Sequence, residues 1–382
     1  MFSHEIDKLR DEFFRARPSA SEKETAVKKV SEMESLEGRD LWALVNIAPI
    51  NEEELFREVL KASARVKRGI FSGRVFPIAP LYVSSYCVEH CVYCNYRVEN
   101  RDTDVLRVRL DRHGLEDEVA YLLEKGYSAI ELVYATDTAL SPSDIGGHLS
   151  MTRKFIEDKN LSGVAALNSQ AFTTDGYREI AASGVDFVAL WQETYSGESY
   201  RRLHPNGNSK KDFSFRADAP ERMIEGGVRE IGMGILFGLA PANEDFFTLL
   251  MHERYLIENY GKKCAVLGIP RLKPARGALL KEAPHPVSDD ELKLMVAIHN
   301  VVFPRTLPFI NTRETFDLCR ELAAGGGALF TFDCSTIPGG YSRNKSGYQF
   351  PTGNYPIEKY RGFLEKDGMN LRMDWDFKNY GR

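Results

Sequence analysis

The chain has 382 residues, 43% hydrophobic and 27% charged, a profile that excludes a disordered, collagen-like or disulfide-scaffold protein. Its 50 Lys and Arg against 55 Asp and Glu leave a net charge of −5, which argues against a dedicated nucleic-acid binder. No window reaches about 18 uninterrupted apolar residues, and the start Met1-Phe2-Ser3-His4-Glu5 lacks the basic-then-apolar order of a secretory signal, so a cytoplasmic protein without membrane contact is expected.

Residues 1–72 read as a helical extension. Ser21-Glu22-Lys23-Glu24 opens one acidic-capped segment, and Asn51-Glu52-Glu53-Glu54 opens another with Asn51 as cap. The charges Lys61, Arg65, Lys67 and Arg68 fit a solvated helix face.

Beyond Gly73 short apolar runs alternate with helix-length amphipathic stretches, the pattern of repeated β-α units on a parallel sheet. Strands are expected at Phe76–Val83, Ala129–Tyr134, Gly163–Asn168, Phe187–Trp191, Ile231–Phe237, Val266–Ile269, Pro308–Thr312 and Ala328–Phe332. Helices are expected at Leu115–Lys125, Thr174–Ser183, Pro220–Gly226, Phe246–Asn259, Asp289–Val301 and Glu314–Ala324. Eight alternations predict an α/β fold, a (β/α)8 TIM-type barrel over residues 73–334 with its chemistry at the C-terminal strand ends. Residues 335–382 read as a C-terminal extension packed on the barrel, turn-rich at first, with a short helix around Ile357–Lys366 before Met373-Asp374-Trp375-Asp376.

Three of the six cysteines fall inside eight residues: Cys87, Cys91 and Cys94 form a C-x3-C-x2-C spacing directly after the first strand. Thiolates so close on one loop converge on a soft metal centre, either zinc or an iron–sulfur cluster. Zinc wants a fourth ligand, and the neighbouring His90 would have to fold back sharply to supply it. A [4Fe–4S] cluster held by three Cys keeps one iron open for an exogenous ligand. Cys264, Cys319 and Cys334 are scattered and read as small buried apolar residues.

The spacing, its place after the first barrel strand and the aromatic Tyr93 just before the third cysteine resemble the radical S-adenosylmethionine enzymes. The chain is most similar to the aromatic amino-acid lyases of that superfamily: the tyrosine lyase of thiamine biosynthesis, that of [FeFe]-hydrogenase maturation, and the tryptophan lyase. The motifs that carry the resemblance, from about Leu81 to Asp376, are Leu81-Tyr82-Val83-Ser84, Trp191-Gln192-Glu193-Thr194-Tyr195, Phe213-Ser214-Phe215-Arg216, Gly232 to Leu239, Pro270-Arg271-Leu272-Lys273-Pro274, Thr312-Arg313-Glu314 and Pro338-Gly339-Gly340-Tyr341. The ending from Gly368 to Asp376 is most similar to the thiamine branch.

The resemblance implies a [4Fe–4S] cluster on Cys87, Cys91 and Cys94 and S-adenosyl-L-methionine as cosubstrate, with Tyr93, Gln192, Glu193, Arg216, Gly234 and Arg271 around it. Gly232, Gly234 and Gly238 would let the backbone approach the adenine. It implies Arg313 as the anchor of an amino-acid carboxylate, Ser335 and Thr336 as hydrogen-bonding partners of that substrate, a flavodoxin or ferredoxin electron donor, and a thiazole-synthase-like partner. The hydrogenase-maturation lyase carries a further C-terminal cysteine triad that this sequence does not show, so carbon monoxide and cyanide production is not expected. One departure stands at the second strand. Where the family has a Gly-Glu pair, this chain reads Val133-Tyr134-Ala135-Thr136-Asp137; Asp137 is expected to take over the charge, and Tyr134 adds a hydroxyl at the site. The reaction so implied is hydrogen abstraction and carbon–carbon cleavage, with tyrosine as the first candidate and tryptophan or another amino acid as alternatives. Other readings are a structural metal-binding protein without turnover, and a family member that binds the cluster but no longer S-adenosylmethionine.

Overall fold

The computed structural model describes residues 1–102, 104–343 and 347–380. Four helices come first: α1 (Ile6–Phe13), α2 (Ala20–Glu32), α3 (Gly38–Val45) and α4 (Glu53–Phe71). α2 starts earlier than Ser21, because Ser19 accepts from the Glu22 amide and Glu22 reaches back to the Ser19 backbone, a reciprocal cap. α4 is preceded by Glu52, with no side-chain cap from Asn51. Nor is Lys67 solvated: it is fully buried, and its ammonium donates to the carbonyls of Pro304, Thr306 and Gly327. Lys61, Arg65 and Arg68 are exposed as expected.

The rest of the chain alternates β1 (Arg74–Pro77) and β2 (Ala79–Ser84), α5 (Arg112–Glu124), β3 (Ala129–Tyr134), α6 (Pro142–Asp158), β4 (Val164–Asn168), α7 (Thr174–Ala182), β5 (Phe187–Glu193), α8 (Gly197–Leu203), α9 (Phe213–Ala217), α10 (Ala219–Glu225), β6 (Glu230–Ile235), α11 (Ala242–Tyr260), β7 (Cys264–Gly268), α12 (Asp289–Val302), β8 (Leu307–Ile310), α13 (Phe316–Leu322), β9 (Leu329–Phe330), α14 (Ile357–Lys366) and β10 (Asn370–Leu371). Every pairing is parallel, in the order β10-β1-β9-β8-β7-β6-β5-β4-β3-β2. The expected strand 76–83 is therefore two: β1 and β2 are separated only by Ile78, and they pair with opposite ends of the sheet. This one run ties the curled sheet into a TIM-type barrel at its base.

Above that tie none of the other described strands pairs with the outer edge of β2, and residues 108–110 meet its end instead: Ser84 bridges Arg109 and Leu110 N donates to Val83 O at 2.9 Å. Side chains from the C-terminal segment also meet β2: the Tyr341 hydroxyl donates to Pro80 O at 2.9 Å, and the Tyr82 hydroxyl donates to Gln349 Oε1 at 2.8 Å. The barrel bottom is filled by Phe76, Ala129, Val164, Phe187, Val266, Leu307 and Leu329, with Trp375 pressed against them and donating to Pro77 O at 3.0 Å. Packing below and open strand ends above leave a cavity at the C-terminal rim, where barrels of this type carry chemistry. Outside, α4 packs on α12 and α3 on α11. Among the described residues no helix is long and apolar enough to cross a membrane.

Candidate active site

The cysteine loop leaves β2 after Ser84 and crosses the top of the barrel. Cys87, Cys91 and Cys94 all line a cavity of about 220 Å³. Local bonds fix the loop: Val88 N donates to Thr136 O, Val92 N to Leu203 O, and the amides of Leu279 and Leu280 to Val92 O. The buried Glu89 carboxylate accepts from the Asn208 and Lys210 amides, which ties the segment 207–211 to the loop. Cys91 and Tyr93 pack with Leu203, Leu236, Leu239 and Leu272 in an apolar cluster of their own.

Three cysteines on one cavity wall, none in a disulfide, fit a cluster better than a single ion. The Cys94 sulfur accepts from Tyr96 N at 3.4 Å and Gln349 Nε2 at 3.5 Å, the donor environment that tunes cluster sulfurs. Burial pushes the Cys91 thiol up to about 12 against the pull of the nearby Lys210 charge, so metal binding there must displace protons.

Below the loop stands Glu193 at the end of β5. The pairing register slips between Trp191 and Glu193, and Glu193 has φ 76°; such a bulge in left-handed backbone re-aims a side chain and is held only by its surroundings. Those surroundings are Lys210 Nζ at 2.6 Å and Arg216 Nη2 at 3.5 Å. Burial opposes the Glu193 charge, but Lys210 and Arg216 outweigh it and hold the carboxyl below its ordinary range. Arg216 is itself buried, and its Nε and Nη2 donate to Trp191 O. The Lys210 ammonium also lies over the Tyr93 ring. His204 Nδ1 meets the Tyr200 carbonyl, so Nδ1 carries the proton and Nε2 accepts from the Tyr93 hydroxyl at 2.8 Å. Burial, then Lys210, drives the His204 pKa down to about 3 and keeps that ring neutral.

Across the cavity is Arg313, three residues past the end of β8. Its side chain is half-buried, its guanidinium lies 3.4 Å over the Phe350 ring centroid, and its Nε is buried without a hydrogen bond. Among the described residues it forms no ion pair. Trp191 and Phe309 floor the cavity with apolar surface, and Glu131, Asn168, Thr331 and Cys334 add polar groups.

The structure brings Cys87, Cys91, Cys94, Tyr93, Tyr134, Glu193, Arg216 and Arg313 to one cavity. It separates others. Asp137 does not line the cavity: Arg109 grips it with two bonds of 2.6 Å and Ser84 Oγ donates a third, so it is neutralised behind the wall while Thr136 faces the space. Arg271 is consumed by Glu314 and Asp289, and Thr336 rather than Ser335 reaches the cavity. Gln192 and Gly234 border a small separate pocket. A Cβ on Gly234 would lie 1.9 Å from Gly268 O and 2.7 Å from the Trp191 ring, so that glycine makes room for Trp191. Cys264 and Cys319 are core residues as expected, but Cys334 lines the cavity. Tyr134 shares a hydrogen bond of 2.9 Å with His148 Nδ1. Sequence reasoning passed over Lys210, Gln349 and Glu131; of these Glu131 had a legible signal, a lone carboxylate inside an apolar strand.

No family model matches the chain. The 2-iminoacetate synthase of Escherichia coli (strain K12) is 28% identical over 346 residues, covering 88% of this chain and 87% of that protein. The 3-methylornithine synthase of Methanosarcina acetivorans is 26% identical over 286 residues, covering 73% and 74%. Among solved structures, HydG, a maturase of the [FeFe]-hydrogenase, superposes with a TM-score of 0.87 at 27% identity, over 99% of this chain and 81% of that one. The parallel barrel, the three-cysteine loop on its rim and these likenesses define a radical S-adenosylmethionine enzyme. Within that class the chain is similar to 2-iminoacetate synthase, to HydG and to 3-methylornithine synthase.

Proposed function

We propose that this chain is a carbon–carbon lyase acting on a free amino acid, tyrosine first. The observation that carries the reading is Arg313, a half-buried guanidinium whose buried Nε has no partner and which forms no ion pair among the described residues, set in the same cavity as the three cysteines. A planar two-pronged donor in that state is suited to a carboxylate. When bound on Cys87, Cys91 and Cys94, a [4Fe–4S] cluster reduced by flavodoxin or ferredoxin would supply, with S-adenosylmethionine, a 5′-deoxyadenosyl radical for hydrogen abstraction.

The protein's own part is binding, orientation and exclusion of water. Lys210 and Arg216 make the wall beside Cys91 cationic, which suits the carboxylate of the cosubstrate, and Glu193 between them stays ionised to meet its ammonium or hydroxyl groups. Arg313 holds the amino-acid carboxylate at the opposite wall and so turns the substrate amine toward the cysteine side. Trp191 and Phe309 give an aromatic side chain an apolar floor and deny water a place near the reacting nitrogen. For tyrosine the cleaved fragments would be dehydroglycine and p-cresol. The thiazole-synthase-like partner and a cytoplasmic location belong to the same reading and rest on the resemblance to the thiamine branch.

The test is anaerobic incubation of the reconstituted protein with S-adenosylmethionine, a reductant and each aromatic amino acid in turn, read by mass spectrometry. Tyrosine-stimulated 5′-deoxyadenosine with p-cresol is the expected result. Deoxyadenosine without p-cresol would retain the radical chemistry and overturn tyrosine as the substrate.

A further inference from the structure

β3 has an apolar sequence, Ala129-Ile130-Glu131-Leu132-Val133-Tyr134, interrupted by one carboxylate. Strand alternation sends Ala129 into the packed barrel bottom and brings Glu131 and Val133, two and four residues on, to the cavity wall. Glu131 therefore lies at the boundary between filled core and open space, inside its strand, whereas Arg313 lies beyond the end of its own. The side chain is 2% exposed and makes no ion pair among the described residues. Its single hydrogen bond there is a long one, 3.5 Å from Asn168 Nδ2 on the adjacent strand. Asn168 lines the same cavity, as does Thr331, whose buried hydroxyl has no partner.

A carboxyl in this position costs stability that leucine would not, and burial pushes its pKa up to about 8. Nothing described in the protein completes its hydrogen bonding, and the unused acceptor borders the space the substrate must fill. Glu131, Tyr82, Cys334 and Arg313 all line the one cavity. An amino acid gripped by its carboxylate at Arg313 therefore extends toward Glu131.

We propose that Glu131, supported by Asn168, is the specificity-determining acceptor for the far end of the substrate side chain, so that the enzyme takes an amino acid ending in a hydrogen-bond donor, a phenol hydroxyl above others, and rejects the apolar isostere. This deepens the reading above and rests on it. The aromatic lining of Trp191, Phe309 and Tyr82 selects a ring, and Glu131 selects the hydroxyl on it. A site built to bond a hydroxyl rejects the analogue without it far more strongly than an apolar pocket rejects a missing methylene.

The experiment is anaerobic calorimetric titration of the reconstituted, S-adenosylmethionine-loaded enzyme with L-tyrosine and L-phenylalanine, in the wild type, E131L and E131Q. The wild type should bind tyrosine about 10- to 100-fold more tightly than phenylalanine. E131L should bring that ratio close to one by strengthening phenylalanine and weakening tyrosine. E131Q, whose amide oxygen still accepts, should keep the preference for tyrosine and shows that a loss in E131L is not misfolding. Equal binding of the two amino acids to the wild type, or an unchanged ratio in E131L, would overturn the role of Glu131 and leave the lyase reading standing. Glu131-dependent binding of tryptophan or lysine in place of tyrosine would uphold the donor rule and remove tyrosine. No binding of any amino acid would overturn both.

Discussion

At the scale of single residues, the site is organised by how each charge is compensated. Glu193 is buried but doubly countered, so it stays ionised; Asp137 is countered by Arg109 and is out of play; Arg313 is half-buried with its Nε unpartnered, and Glu131 is buried with only the long bond from Asn168, neither in an ion pair among the described residues. These are the groups a ligand must satisfy, because a buried polar atom without its hydrogen bond is costly. Glu131 has a consequence for stability with a definite sign. Its folded pKa of about 8 lies above the ordinary value of 4.5, so the folded state binds a proton that the unfolded chain releases, and stability falls as pH rises from 4.5 toward 8. E131Q removes that dependence. The Tm of E131Q relative to wild type should therefore increase between about pH 5 and about pH 9 in the ligand-free protein. A difference independent of pH, read by scanning calorimetry, would show that Glu131 does not carry this proton.

At the scale of elements, the strands were legible in the sequence because parallel strands buried on both faces are written as continuous apolar runs. Ala129–Tyr134 and the helix Ile357–Lys366 fall where the pattern puts them. What the pattern hid has physical causes. α6 carries two adjacent Gly and two Ser in its 17 residues, and it is fixed instead by the reciprocal cap of Ser141 and Asp144; β10 is two residues long. Whether Thr136 or Asp137 faces the cavity is a matter of one residue past a strand end, where the pleat no longer dictates direction, and Arg109 decides it. The cysteine loop was the opposite case, since its chemistry is written in spacing alone. Its prediction follows: C87A, C91A and C94A should each lose the brown chromophore and most of about four irons per chain, whereas C264A, C319A and C334S should retain them. The C334S variant is the informative one, since Cys334 shares the cavity; iron loss there equal to that of C91A would make it a ligand and refute the three-cysteine assignment.

At the scale of the whole molecule, the barrel is completed by the parts of the chain that are not barrel. Lys67 from α4 donates to three carbonyls at the base, the Tyr341 hydroxyl and Gln349 side chain meet β2, and Trp375 plugs the bottom beneath Phe76 and Phe187. The plug is separated from the cysteine loop by the full height of the barrel, because it contacts β1 at Pro77 while the loop leaves the far end of β2. Stability and cofactor binding can therefore be moved independently. Trp375 is fully buried, so W375A should cost about 3–5 kcal/mol together with the bond to Pro77. Because the layer it supports is continuous with the floor under Trp191 and Phe309, the loss should appear as one cooperative transition shifted to lower temperature, with the iron content at ambient temperature unchanged. Two separate transitions would mean that the plug lies outside the cooperative unit of the barrel, and iron lost in proportion to the fall in Tm would mean that the plug and the cysteine loop are not independent.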